Sequence, residues 1–570
     1  MPRARSKRRP AGDASGTDAS KTNDPRGVSG DSSPRDAVVK PAPVVRLDKR
    51  VLWTVAAIAL LVRLAYVLFA RGPAFVDPLV DADYYDYLGE RIAHGSGFDE
   101  GPFWQPPLYP LMLGAIYRVA GHTLVAPRVV QAMLGAFTAA AGSLLAFRAT
   151  RSTRAAWLGG LAIALHGVLV FYDGELLATT LACALVSGAL LFATRDESPD
   201  WRGAMGAGLL LGLGTLSVAP VGLAAPAIAA TRWHRHRRAS LVLLAAFAFP
   251  VLLGATVNRV RGGEWVMVSA NGGVNLWIGN NPDGERALAI RPGSAWQALM
   301  DEPEAAGAHT AAEQDRWFRD RALSFCASRP VACASGIARK TWLLVASREA
   351  PRNEDIYVLR FQSPVIAALV WHLGSIGFPA VVVFPLAAVG AFLAMRRIGV
   401  ETPIRSRRLT LLAALVALCV GPIVFFVTAR HRAPVIPLAC VFAAIGCVEW
   451  PQLAKSDRSR PAALAVAGLV FVFAAWPTRY ATDDVAFVPE MFFEIGGRRA
   501  RRNDLDGAMQ AWQQALVRRP DYREAAVNLA LLHARRGETT EALRLLDTMV
   551  QLYPDDPMVR AQRDVIAGER

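Results

Sequence analysis

Eleven apolar runs of near membrane-crossing length constrain this chain more than any other feature: 51–70, 129–147, 155–172, 176–193, 203–217, 219–231, 239–257, 376–394, 409–428, 433–449 and 461–476. A bilayer core takes about 20 apolar residues of helix, and a 570-residue chain that is 53% hydrophobic is too apolar for an ordinary soluble enzyme. Arginines crowd alternate turns: Arg148, Arg151 and Arg154; Arg195 and Arg202; Arg232, Arg235, Arg237 and Arg238; Arg396, Arg397, Arg405, Arg407 and Arg408; then Lys455, Arg458 and Arg460. Short cytoplasmic turns keep Lys and Arg. Eleven spans with the N-terminus inside therefore put all of these on one face, leaving 71–128, 258–375 and everything after about 477 on the other. That placement accounts for the formal charge of +15, and no nucleic-acid partner is expected.

Two further apolar stretches do not fit as spans. Residues 108–121 are short and contain Arg118, and the run at 364–375 is interrupted by Gly374, Gly377 and Pro379; both read as helices at the outer membrane surface. The hairpin 203–231 has short halves and reads as tilted or partly re-entrant. Residues 1–50, basic and rich in Ser, Pro, Asp and Gly, read as a disordered cytoplasmic tail. Six cysteines are few for this length. Cys183, Cys419, Cys440 and Cys447 fall in apolar runs, whereas Cys326 and Cys333 flank Arg329-Pro330 in the second large loop. On one unbroken helix those two would stand about 10 Å apart, but the proline breaks it and leaves a disulfide open in an oxidising compartment.

The first large loop is crowded with function-bearing side chains. Asp81, Asp83, Asp86 and Glu90 lie among Tyr84, Tyr85 and Tyr87, followed by a Gln105-Pro106-Pro107 turn. The pattern D-x3-Y from Asp81 to Tyr85, then Gly95-Ser96-Gly97-Phe98, then Gln105-Pro106-Pro107-Leu108-Tyr109-Pro110, resembles the first extracytoplasmic loop of GT-C glycosyltransferases. The nearest relatives in this resemblance are the family 39-like enzymes, which include protein mannosyltransferases and aminoarabinose transferases. It implies a GT-C-like, all-α polytopic domain over 51–480. It also implies a polyprenyl-phosphate sugar donor, and Asp81 as the catalytic base, with Asp83 assisting. A carboxylate partly desolvated near the membrane surface is expected to have a raised pKa and more basicity. The plainer alternative is that an acid here caps a helix over 84–94, a position Asp83 suits better.

Other candidates for substrate binding follow the same resemblance. Tyr85 belongs to the D-x3-Y pattern. Gln105 stands where aminoarabinose-transferase relatives carry a lysine; it donates a hydrogen bond without charge. Glu175, in Tyr172-Asp173-Gly174-Glu175 at the outer end of a span, would face the cavity over Asp81. Asn280 belongs to the Asn- and Gly-rich segment 270–284, which looks like a run common in family 39-like chains with repeat tails. Lys340, with Arg339, Arg348 and Arg352, brings positive charge to the outer surface, suited to a lipid phosphate. Arg430 and Arg432, in Arg430-His431-Arg432-Ala433-Pro434-Val435-Ile436-Pro437, resemble the R-x-R-x-P-x-x-P segment of these transferases. Their planar forks match phosphate oxygens. No cofactor is implied, and two acids at i, i+2 are weak grounds for a divalent ion.

From 489 the chain turns charged and Ala-rich. Two copies align at an offset of 34, pairing Ile495 with Leu529, Gly496 with Ala530, Asn503 with Gly537, Ala508 with Ala542, Trp512 with Leu546, Ala515 with Met549 and Pro520 with Pro554. This resembles tetratricopeptide repeats, with a capping helix near 557–568. The expected protein is a multi-pass enzyme of a bacterial inner (plasma) membrane. It would transfer a sugar, with inversion, from a polyprenyl-phosphate donor to an acceptor at the periplasmic face. The module at 483–570 would lie in the periplasm and engage a protein or glycan partner. The rival is a non-enzymatic envelope scaffold acting through that module.

Overall fold

The computed structural model describes residues 46–195, 200–396, 402–453 and 457–568. The tail at 1–50 lies outside them except for its last five residues, as do Arg397 and Lys455 of the basic turns. The chain divides into Met1–Arg46 and Leu47–Arg570, and the second unit holds every element below.

Among the described residues, five helices are long and apolar enough to cross a membrane: Lys49–Phe69, Val125–Thr150, Arg237–Gly262, Pro403–Val424 and Ala429–Gln452. A sixth candidate, Thr153–Ala164 with Gly167–Gly174, bends by 47° at its break, and Thr179–Ala193, Ala380–Met395 and Ser459–Ala475 are shorter apolar helices. The chain is thus a multi-pass membrane protein. The weak hairpin at 203–231 resolves into a helix, Trp201–Thr215, a 3-10 turn, Ala219–Leu223, and a helix of nine residues, Ala224–Arg232. Small residues set the closest crossings. A Cβ on Gly390 would lie 1.8 Å from the Phe442 carbonyl oxygen, so Ala380–Met395 and Ile436–Glu449 meet backbone to backbone.

Two expectations of surface helices fare differently. Leu108–Ala120 is helical, whereas only Pro364–Leu369 of the second stretch is. Trp371–Leu373 and Ile376–Phe378 instead form an antiparallel hairpin, so the chain is not wholly α-helical and the run expected from 376 begins as a strand. Leu373 opposes Ile376, which leaves a two-residue turn, and Gly374 takes the positive φ of 58° that such a turn requires.

The C-terminal segment is five helices: Phe487–Arg501, Leu505–Arg518, Arg523–Arg535, Thr539–Leu552 and Pro557–Ala567. The 34-residue alignment is physical. Ala508, Ala542, Trp512, Leu546, Ala515 and Met549 are buried in one cluster. Asn503 and Gly537 share positive φ at equivalent turns (62° and 77°), a region that Gly and Asn enter at least cost. Met491 and Ile495 of the first of these helices belong instead to the main core of the membrane domain.

Candidate active site

Asp81 opens the helix Asp81–Ala93, three residues earlier than the sequence suggests. Val80 occupies the cap position, and neither Asp81 nor Asp83 acts as a side-chain cap. Val80 has φ of 46°, a conformation costly for a β-branched residue, tolerated where surrounding structure enforces it. That strain sits directly before the expected base.

Four other segments converge on Asp81. Arg430 donates to Oδ2 at 2.5 Å and Asn353 Nδ2 to the same oxygen at 3.0 Å, while Gln105 Nε2 reaches Oδ1 at 3.4 Å. Gln105 is oriented in turn: its Oε1 accepts from Asn271 Nδ2 at 3.0 Å and from the Tyr85 hydroxyl at 3.5 Å. Arg352 stands beside Asn353, its guanidinium over the Phe426 ring at 4.3 Å. Asp81, Tyr85, Gln105, Arg352 and Arg430 all line a cavity of about 850 Å³. Its lining mixes apolar side chains such as Leu177, Val218, Leu418 and Phe425 with Trp104, Trp265 and Trp296 and the charged Asp315, Arg316 and Arg319.

The electrostatics reverse one expectation. Burial alone would raise the Asp81 pKa, as the sequence reading assumed, but Arg430, Arg352 and the Asn353 amide outweigh it and hold the carboxyl below its usual range. Side chains 19% and 28% exposed, for Asp81 and Arg430, keep the pair reachable from the cavity. Burial pushes the Arg352 guanidinium down to about 10, with Asp81 pulling it back up and Arg430 opposing.

The remaining candidates are not on the cavity wall. Asp83 is engaged by Arg498 and, at 2.5 Å, by Arg501 of the C-terminal helices, so both its oxygens already accept from arginines. Glu175 is buried, and its backbone oxygen accepts from Gln131 at 2.7 Å. Asn280 and Lys340 form a structural lock. Lys340 Nζ donates to the Gly279, Val424 and Phe425 carbonyls and to Asn280 Oδ1, while Asn280 Nδ2 donates to the Val424 carbonyl. A Cβ on Gly279 would lie 1.7 Å from the Phe425 oxygen, so this glycine of the Asn-rich run serves the close approach of the second loop to a helix end. Arg432 is 2% exposed and pairs with buried Glu349, besides donating to the Ala346 and Leu344 carbonyls. The two arginines of one motif therefore divide: Arg430 faces the cavity and Arg432 anchors the core.

Asn271 and Asn353 were not singled out by sequence. Each stands next to a feature that was, the Asn-rich run and the cationic run 338–353, but amides carry no signal apart from the fold around them. Cys326 and Cys333 are joined in a disulfide, because the helix ends at Ser328 and a new one starts at Pro330.

A family model described as tetratricopeptide repeat matches residues 500–563, so the C-terminal helices carry that repeat. No curated protein matches the chain. Among solved structures it is similar to the archaeal oligosaccharyltransferase AglB from Archaeoglobus fulgidus, in complex with an inhibitory peptide and a dolichol-phosphate. That match has 14% identity, 81% of this chain, 59% of that one and a TM-score of 0.44. It is similar also to ArnT from Cupriavidus metallidurans bound to undecaprenyl phosphate, with 15% identity, 88% of this chain, 80% of that one and a TM-score of 0.40. The protein O-mannosyltransferase Pmt1-Pmt2 complex of S. cerevisiae bound to the sugar donor matches at 15% identity over 37% of this chain and 33% of that one, with a TM-score of 0.30. All three are GT-C glycosyltransferases, the class that residues 81–114 resemble. The chain spans about 59% of the length of the first of them. Scores at this level leave the chemistry to the geometry around Asp81.

Proposed function

We propose that this protein transfers a sugar from a polyprenyl-phosphate donor to a hydroxyl acceptor, with Asp81 as general base and Arg430 and Arg352 as the phosphate-binding pair. The carrying observation is the Asp81–Arg430 pair at 2.5 Å on the wall of a cavity whose lining includes apolar side chains such as Leu177, Val218 and Leu418. An ionised carboxylate next to two guanidiniums is a resting state for a donor phosphate to enter. The phosphate draws Arg430 toward its own oxygens, where the guanidinium fork has a bidentate match. Asp81 then loses its strongest partner, and burial raises its proton affinity at the moment a base is needed.

In the transfer step Asp81 takes the proton of the acceptor O–H as the acceptor oxygen attacks the anomeric carbon from the face opposite the phosphate. The anomeric C–O bond to phosphate breaks with its electron pair leaving on the phosphate oxygen, which Arg430 and Arg352 stabilise. Inversion at the anomeric carbon follows. Gln105, held by Asn271 and Tyr85, and Asn353 orient the carboxylate. The apolar lining side chains suit the polyprenyl chain, and the lining tryptophans suit sugar rings.

The proposed topology has eleven spans, an inside N-terminus, and both large loops and the repeats on the outer face of a bacterial inner membrane. The Cys326–Cys333 disulfide supports an oxidising side for the second loop. The repeat module at 483–570 is proposed to engage a protein or glycan partner. The deciding experiment follows polyprenyl phosphate released from synthetic polyprenyl-phosphate hexoses by purified wild type and Asp81→Asn. Release by wild type that the variant lacks supports the reading; equal release by both removes Asp81 from catalysis.

A further inference from the structure

The Asp81 helix has two charged faces. At 100° per residue, Asp81 and Tyr85 fall together on the cavity side, while Asp83, Asp86 and Glu90 fall on the opposite side. That second face is gripped by the C-terminal module. Arg498, Arg499, Arg501 and Arg502 close the helix Phe487–Arg501, and each reaches an acid on the Asp81 helix or just before it. Arg499 meets Asp77 at 2.9 Å, Arg501 meets Asp83 at 2.5 Å, and Arg502 meets Asp86 at 2.8 Å and Glu90 at 3.2 Å. Arg498 is central: its side chain is 5% exposed and it pairs with Asp83, with Asp86 at 2.7 Å and with Asp77 at 3.7 Å.

Asp86 shows how far this face is committed. Its side chain is fully buried, and it accepts from the Tyr117 hydroxyl at 2.7 Å and meets His122 Nε2 at 2.9 Å, besides its two arginines. The same C-terminal helix also reaches the back of the active site. Glu490, Met491 and Glu494 share a small pocket with the strained Val80 and with Asn353, the Asp81 partner. Glu490 pairs with Arg291 of the second loop.

Buried ion networks of this kind are poor sources of net stability, since desolvation offsets much of their attraction, but they hold geometry tightly. We infer that Arg498 is a positioning residue: through it, the first helix of the repeat module sets the orientation of the helix that carries Asp81, so the module governs turnover besides any partner it binds. The turnover part rests on the proposed role of Asp81. A recruiting arm alone would have no need to bury Arg498, and to set three more arginines around it, against the helix that bears the base. Removing 483–570 would accordingly impair transfer even to a small, generic acceptor, which loss of a purely recruiting tail would spare.

The test uses full-length wild type, Arg498→Gln and Arg498→Lys in one detergent. Backbone hydrogen exchange over residues 82–93 should quicken by about tenfold or more in Arg498→Gln, with exchange over Thr539–Leu552 unchanged. With polyprenyl-phosphate hexoses as probe donors, kcat should fall by about tenfold at unchanged donor KM, because a small displacement of a catalytic group costs turnover while the phosphate pair is untouched. Lysine, one point charge in place of a fork, should restore part of both. If Arg498→Gln is not recovered folded, Arg498→Lys carries the same comparison. Unchanged exchange over the Asp81 helix overturns the inference, and so does faster exchange with wild-type kcat. Full activity in Asp81→Asn would sink the base assignment alone, and the exchange measurement would still decide whether Arg498 holds this helix.

Discussion

Arg430 donates to Asp81 at 2.5 Å across 349 residues of chain. This contact joins the first loop to the start of the last long apolar helix, Ala429–Gln452, and it makes the expected base a paired carboxylate instead of an isolated one. Burial alone would raise the proton affinity of this acid; paired, it is ionised until something competes for its arginine.

Asp81→Asn preserves size and removes the base. Turnover with a polyprenyl-phosphate hexose should fall by about 10²-fold or more. Thermal unfolding in detergent should show the variant folded, since a loss of structure would produce the same drop for another reason.

The pH dependence follows from the direction of the Asp81 shift. A carboxyl held below its usual range is ionised down to acid pH, so the acid limb of kcat/KM in wild type should lie below the range of an ordinary carboxylate. The stability this pair contributes is present above the unfolded pKa and lost as pH falls through the folded one. Arg430→Ala removes the main opposing charge while burial and Arg352 remain, so its acid limb should move to higher pH. A pH-rate profile with the limb in the same place for both would disconnect Arg430 from the titrating group.

Arg430 and Arg432 should fail differently. Arg430→Ala should weaken binding of polyprenyl phosphate, with Arg430→Lys recovering only part because the fork is lost. Arg432→Ala leaves Glu349 buried without its partner and should cost about 3–5 kcal/mol of stability. Melting temperature and lipid-phosphate affinity, measured on both variants, separate the two. Weakened affinity in a stable Arg432→Ala would contradict the division.

Cys326 and Cys333 report topology. With the second loop on the outer, oxidising side, as proposed, a thiol reagent that cannot cross the membrane should label them in intact cells only after reduction. A reporter fused at residue 480 should likewise read as outside. Free thiols protected from the reagent would reverse the orientation of the whole domain.

Lys340→Met should leave donor affinity near wild type and lower stability instead, since its ammonium caps the carbonyls of Gly279, Val424 and Phe425. Thermal unfolding beside polyprenyl phosphate binding distinguishes this from a phosphate contact, which would show chiefly as lost affinity.

What the sequence determined by itself was what depends on local pattern. Apolar runs carry their own reason to be helices, so every run expected to cross the membrane is wholly or partly helical, although among the described residues only five helices, or six with the bent pair, are long and apolar enough to cross. The 34-residue offset fixed the repeats because small residues at helix crossings and positive-φ positions at Asn503 and Gly537 recur with the unit itself. Asp81 and Arg430 were visible as charges at an apolar boundary, where a charge is expensive and invites a reason. Tertiary structure alone decided which charges meet. Arg430 and Arg432 are two residues apart and point to different surroundings. Asp81 and Asp83, also two apart, lie on opposite sides of one helix, so one faces a cavity and the other the repeat module. Whether a buried carboxyl sits above or below its ordinary pKa depends on partners hundreds of residues away, and no local pattern encodes a distance of that kind.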